Sequence, residues 1–313
     1  MPKTLAAPRS LRTLLAGAID YAGLFPPAKL EMPEAVANYA AYRDDPDAAW
    51  ALGRFVVPAA RLEELEREAA RHLACVLPGA EPWRLSALAG PDVAADADRI
   101  ARFARRFAAA GVGSVVVDAA EVRAATAGDV ERAAGPLAAL GLAVYVELPL
   151  GGDAPGLDAL LAAVRRAGAR AKVRTGGVTA DAFPDPADLV RFVDACLRAG
   201  VPFKATAGLH HPLRAEYRLT YEPGAPTGTM FGFLNVFLAA ALLRAGASLP
   251  EAESMLTERD PGALRFDDDG VEWRGIRLTT DALRAARDAG AAVAFGSCSF
   301  REPVDDLKAL GLL

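Results

Sequence analysis

Lysine is scarce in this chain. Of the 35 basic residues only five are lysine (Lys3, Lys29, Lys172, Lys204 and Lys308), so arginine fills nearly every position where a generic surface cation would serve. Cysteine is scarcer still, and Cys75, Cys196 and Cys298 lie far apart with no CxxC pair. That spacing argues against a disulfide framework or a thiolate zinc site and suits a reducing cytoplasm. No charge of one sign dominates: the net charge is −5, with acids and bases mixed along the sequence. Without a basic stripe interleaved with aromatics, a nucleic-acid partner is not expected. Long hydrophobic runs are missing as well. LLAGAI (14–19) ends at Asp20 after only six residues, so the N-terminus reads as mature protein rather than a secretory leader. FGFLNVFLAAALL (231–243) is shorter than a bilayer span and reads as a buried helix, so no membrane partner is expected.

What is present is a 313-residue chain, 52% hydrophobic, enough for one large core. Short apolar runs recur at 18–25, 53–59, 83–90, 113–119, 142–149, 169–177, 201–208 and 292–299. Each is followed by a longer, alanine-rich amphipathic stretch, the alternation of βα units. Helix signals punctuate the intervals: Pro33 near the start of 32–45, the amphipathic 61–77, Gly111 after 92–110, Gly168 after 157–167, and a helix over 184–200 that ends in glycine. Eight such units predict a (β/α)8 TIM barrel in a single domain over 1–313. The surplus length, 209–291, falls between strands seven and eight as an elaborated segment, with helices over 231–246 and near 249–257 and a hairpin within 267–278. An open, doubly wound sheet is the second choice, disfavoured because no glycine-rich phosphate loop follows the first strand.

In a barrel the active site collects at the carboxyl ends of the strands, and side chains two apart share a face. Those ends carry Asp20, Asp118, Glu147, Lys172 with Arg174, Lys204 with Thr206, and Ser297 with Ser299. Two of the five lysines therefore sit inside apolar strands. An amine among apolar walls and beside another cation loses its proton more easily, and the neutral amine attacks a carbonyl to give a Schiff base. The plainer alternative is a structural salt bridge from each lysine to Glu147 or Asp118.

These segments also resemble a known family. AIDYAGLFPP resembles the first strand of deoxyribose-phosphate aldolases, which carries an Ile-Asp-His-Thr-Leu-Leu run. KVRTGG is similar to their Lys-Thr-Ser-Thr-Gly strand through Lys172, Thr175 and Gly176. FKATAGL is similar to Lys-Ala-(Ala/Ser)-Gly-Gly-Ile through Lys204, Ala205, Gly208 and Leu209. Glu147 and the pair Phe295 and Gly296, with Ser299, echo two further strands. The resemblance implies a metal-independent class I aldolase without a cofactor, with Lys172 as the Schiff-base lysine, Lys204 as the second lysine and Asp20 in a proton relay. It also implies a substrate phosphate near Gly208, Gly296, Ser297 and Ser299.

Three departures stand out. The family's fourth-strand aspartate has no match in Ser-Val-Val-Val, leaving Asp118 as an open substitute. Arg174 replaces a small serine, and the 209–291 segment has no counterpart. Arg174, a bidentate binder of carboxylate or phosphate, points to a small anionic carbonyl substrate, with a salt bridge to Glu147 or Asp118 as its alternative. His210 and His211 close strand seven and face apart, so substrate contact is weighed above metal ligation; His72 lies on a helix. Cys298, with no visible histidine partner, reads as a small packing residue. MFGFLN (230–235) either caps the barrel or forms a contact in a homo-oligomer. Two other functions stay open: a metal-dependent hydrolase or isomerase using His210, Glu147 and Asp20, and a non-catalytic barrel that binds an anionic ligand.

Overall fold

A computed structural model describes residues 7–73, 81–109, 115–151 and 156–313. Lys3, Cys75, Gly111, the first two residues of the expected fourth strand and the last four of the helix expected over 61–77 lie outside them. The first half of the chain runs α1 (Arg9–Leu15), β1 (Ile19–Tyr21), α2 (Met32–Arg43), β2 (Leu52–Pro58), α3 (Leu62–Leu73), β3 (Trp83–Leu88), α4 (Val93–Ala109), β4 (Val115–Arg123), α5 (Ala127–Ala138) and β5 (Ala143–Glu147). It continues through α6 (Leu157–Arg166), β6 (Arg170–Arg174), α7 (Pro186–Ala199) and β7 (Phe203–Thr206). The strands β8 (Ala215–Arg218) and β9 (Thr227–Met230) come next, then α8 (Phe233–Arg244) and α9 (Leu249–Leu256). The chain closes with β10 (Leu264–Phe266), β11 (Gly270–Trp273), β12 (Ile276–Thr279), α10 (Thr280–Asp288), β13 (Phe295–Ser297) and α11 (Arg301–Ala309).

β1 to β7 and β13 form a closed parallel barrel, because β1 pairs with β2 on one side and β13 on the other. The fold is a (β/α)8 barrel, and the open doubly wound sheet is set aside by that closure. Local chemistry sets the helix ends. Thr126 and Asp129 form a capping box on α5, and Asp185 caps α7, which starts at Pro186 and stops at Gly200 in the left-handed conformation.

Two faces alternate along each strand. The outer face carries Tyr21, Phe55, Val117, Val173 and Phe203 to the helices, and these side chains are buried. The inner face carries polar groups, and the register sets Glu147, Lys172 and Lys204 side by side across β5, β6 and β7. β4 breaks the simple alternation. Leu85 of β3 pairs with Val117 but Ser86 pairs with Ala119, so Asp118 is an extra residue in a β-bulge. A one-residue insertion exchanges the faces of everything after it. Asp118 and Glu121 therefore both point into the barrel, although they are three residues apart.

The segment 209–291 splits into three parts. β8 and β9 form an antiparallel hairpin whose connecting loop reaches the barrel mouth. α8 is buried from Phe233 to Leu242 and packs on the barrel, with Phe233 stacked on Phe295 at 4.9 Å and Phe237 edge-on at 5.8 Å. It is a wall helix, which accounts for the apolar MFGFLN run without a contact between copies. β10, β11 and β12 form a three-stranded sheet beside α1, joined to it by hydrogen bonds from Arg9 and Ser10 to Asp267 and Asp268. The expected hairpin within 267–278 is present as β11 and β12, extended by one strand.

Candidate active site

The inner-face charges converge at the carboxyl end of the barrel. Lys172 Nζ lies 2.7 Å from Glu121 Oε2 and 2.8 Å from Glu147 Oε2. Lys204 Nζ donates to Asp20 Oδ2 at 2.6 Å and to Glu121 Oε1 at 2.7 Å. Glu121 thus stands between the two lysines, one oxygen on each, and its Oε1 also accepts the Ser86 hydroxyl at 2.8 Å. Asp20 is fixed from behind by the backbone N–H of Arg54 at 2.7 Å. Lys204 also lies 5.1 Å over the ring of Tyr145, a cation–π contact.

Burial and charge compete in this cluster. Burial alone would raise the Glu121 pKa, but Lys172 and Lys204 outweigh it and hold the carboxyl below the usual range. Burial would likewise raise Glu147, and Lys172, Arg174 and Arg123 draw it down. For Lys204 the sequence expectation is reversed. Burial works toward the neutral amine, but Asp20 and Glu121 override it and raise the pKa above the ordinary lysine value. Lys204 is a fixed ammonium, because the two lysines are separated by a carboxylate rather than set against each other. Glu147 Oε2 is buried, and its close partner is the Lys172 ammonium at 2.8 Å, while Arg123 and Arg174 approach the other carboxylate oxygen at 3.2 and 3.5 Å.

A cavity of about 360 Å³ opens above the cluster, and Glu121, Lys172, Arg174, Lys204, Thr206, Gly208, His210, His211 and Gly296 line it. Other candidates lie elsewhere. Asp118 is not at the mouth: its carboxylate accepts from Arg54 at 2.6 Å and from Arg84 at 2.8 Å, toward the amino-terminal end of the barrel. Thr175 is fully buried, and its hydroxyl donates to the backbone carbonyls of Thr206 and Ala207. Gly176 packs against Phe183, whose ring would stand 2.4 Å from an added Cβ. Ser297 donates to the Ser299 carbonyl, and the Ser299 hydroxyl accepts from the Glu302 N–H. Both serines are spent on the turn into α11. His210 and His211, expected to face apart, both turn toward α11, His210 to Glu302 at 3.0 Å and His211 to Asp306 one turn on at 2.7 Å, because the chain after β7 is no longer an extended strand.

Sequence reading passed over Glu121, Arg123, Arg218, Tyr221 and Glu302, all on the cavity wall. Glu121 and Arg123 carry a period-2 signal of their own, E-x-R at the end of β4, which the bulge puts out of phase with the strand's start. Arg218 and Tyr221 come from the hairpin segment, and nothing local in the sequence ties that segment to the mouth. Among the described residues, no group of three or more His, Cys, Asp or Glu side chains is arranged to hold a metal ion. No described helix is long and apolar enough to cross a membrane.

The chain is similar to a deoxyribose phosphate aldolase. That solved structure, a tetramer from Aeropyrum pernix, shares 15% identity at a TM-score of 0.49, with 96% of this chain and 97% of that one covered. The spore cortex-lytic enzyme SleL of Bacillus megaterium is similar at 10% identity and a TM-score of 0.34, over 90% of this chain and 70% of that one. No protein-family model matches the chain, and no curated protein does.

Proposed function

We propose that the protein is a carbon–carbon lyase of the Schiff-base type, acting on a small anionic carbonyl compound with Lys172 as the nucleophile. The observation that carries this reading is the difference in access between the two lysines: Lys204, raised by Asp20 and Glu121, is almost wholly buried, whereas Lys172, between Glu121 and Glu147, is the more exposed of the two to the cavity that both line. Lys172 gives a proton to Glu147 and attacks the carbonyl carbon. Glu147 passes that proton to the carbonyl oxygen, the carbinolamine nitrogen supplies a second by the same route, and the oxygen leaves as water, which returns Glu147 to its charged form. The iminium forms within reach of Glu121 and Glu147, whose fixed negative charges stabilise it without reorganisation.

Deprotonation of the hydroxyl on the β-carbon then breaks the carbon–carbon bond, and the electron pair moves to the iminium nitrogen as an enamine. Protonation of the α-carbon and addition of water release the second fragment and restore Lys172. Arg123, Arg174 and Arg218 around the mouth favour an anionic substrate, with Arg123 and Arg174 also paired to Glu147 at 3.2 and 3.5 Å, the salt bridge weighed as the alternative for Arg174. The metal-dependent alternative is less well supported, because Asp20, Glu121 and Glu147 are each engaged by a lysine and His210 is turned to Glu302.

The enamine makes the reading testable. In deuterium oxide, small anionic carbonyls such as pyruvate should exchange their α-protons in the presence of the protein, followed by proton NMR. Exchange should be lost in Lys172→Met. Exchange surviving that substitution, or absent from a broad panel of carboxylated and phosphorylated aldehydes and ketones, would sink the proposal.

A further inference from the structure

The lysine chemistry leaves a second polar cluster on the cavity wall unused. Cys298 follows β13, and its Sγ lies 3.8 Å from His210 Nδ1, 4.0 Å from His210 Nε2 and 3.4 Å from the Tyr221 hydroxyl. Glu302, in the first turn of α11, ties the group together. Its carboxylate is 3.0 Å from His210 Nδ1 and accepts the Tyr221 hydroxyl at 2.7 Å. All four residues line the cavity that holds Lys172. Cys196, by contrast, is buried in α7, where burial pushes its thiol up and makes it a poor nucleophile.

His210 carries charge here. Burial disfavours its imidazolium, but the Cys298 sulfur and Glu302 outweigh that cost and its pKa is pushed up to about 10. At neutral pH the ring is therefore an N–H donor at both nitrogens. Glu302 accepts the Tyr221 O–H and faces His210 Nδ1, so the His210 Nε2–H, 4.0 Å from the sulfur, is the donor left for an oxyanion on a sulfur-bound carbon.

We propose that Cys298 is a second nucleophilic centre of this cavity, adding reversibly to the aldehyde carbonyl of a small anionic ligand to form a hemithioacetal. A sulfur–carbon bond forms, the carbonyl π pair moves to oxygen, and that oxygen takes a proton from His210. The thiol proton replaces it on His210, so nothing is oxidised and no co-reactant is consumed. An aldehyde is favoured because its carbon is the less crowded and more electrophilic carbonyl. Carbon–carbon cleavage at Lys172 releases such a fragment. The choice of an aldehyde therefore rests on the lyase reading, whereas the reactivity of the sulfur does not.

Alkylation of Cys298 by iodoacetamide, followed on its own peptide by mass spectrometry, tests the idea with glyoxylate as the aldehyde and pyruvate as a ketone of equal charge. At ten times its half-saturating concentration glyoxylate should slow alkylation about tenfold. In Lys172→Met, where no Schiff base can cover the sulfur, glyoxylate should still protect and pyruvate should not. Unchanged alkylation with glyoxylate, or equal protection by both compounds in that variant, overturns the proposal. If the variant does not fold, carbon-13 NMR of labelled glyoxylate on the wild-type protein decides instead. A hemithioacetal resonance distinct from the free hydrate, absent in Cys298→Ser, is expected, and its absence from the wild type refutes the addition. Loss of α-proton exchange would remove the lyase reading without touching the alkylation result, so the two failures are separable.

Discussion

Replacing Glu121 by glutamine removes the charge between Lys172 and Lys204 while keeping nearly the same volume. Each lysine keeps one carboxylate, Glu147 or Asp20, but an amide then faces two buried ammoniums that Glu121 held at 2.7 Å. Removing one partner of a buried ion pair costs about 3–5 kcal/mol, mostly because the other charge stays buried and uncompensated. Against a typical stability of about 5–15 kcal/mol this is a large share. At roughly 2 °C per kcal/mol for a chain of this size, the melting temperature should fall by about 6–10 °C. Differential scanning calorimetry at neutral pH measures it, with Asp118→Asn as a comparison. That variant loses contacts to Arg54 and Arg84 at the other end of the barrel and should keep α-proton exchange, whereas Glu121→Gln should lose it. A Glu121→Gln protein that melts within a degree of wild type, or that exchanges α-protons at the wild-type rate, would refute the bridging role.

Other consequences are smaller or more local. Glu121 is held below the usual carboxylate range, so its share of stability is present above an unfolded pKa of about 4.3 and drains away as pH falls through its lower folded value. The melting temperatures of wild type and Glu121→Gln should therefore converge in acid, and a constant gap down to pH of about 2 would contradict this. Lys204, raised above an unfolded pKa of about 10.4, contributes fully below that pH and loses its share only as pH rises through the folded value. Arg174→Leu should raise the half-saturating concentration of an anionic substrate about 10- to 100-fold with a smaller effect on turnover, as loss of a charged hydrogen bond implies. Steady-state kinetics with charged and uncharged analogues would show it, and equal effects on both would argue that Arg174 serves only Glu147. Phe237→Ala should cost about 3–5 kcal/mol if α8 is a wall of the barrel, and a negligible shift in guanidinium unfolding would show that it is not.

The barrel was legible because eight apolar strands alternate with amphipathic helices at a regular spacing, and glycine and proline mark many of the ends. Lys172 and Lys204 stood out for the same reason: a charged side chain in an apolar strand, in a chain nearly free of lysine, is visible without a structure. Glu121 was not legible. Counting alternate residues from the start of β4 assigns Asp118 to the interior and Glu121 to the outer face, and only the bulge at Asp118 brings both inside. A bulge has no reliable signature in Val-Val-Val-Asp-Ala-Ala-Glu. The charge state of Lys204 was hidden for a related reason, since it depends on which carboxylate stands between the lysines. The pairing of Cys298 with His210 joins the loops after β7 and β13 across 88 residues, a distance at which sequence pattern says nothing about contact.

The central claim is that Lys172, and not Lys204, attacks the carbonyl. Borohydride reduction in the presence of a carbonyl ligand, followed by peptide mapping, tests it most directly. Reduction should fix a mass increase on the peptide containing Lys172 and leave the Lys204 peptide unmodified. A label on Lys204, or no label on either lysine under conditions where the ligand binds, would contradict the account.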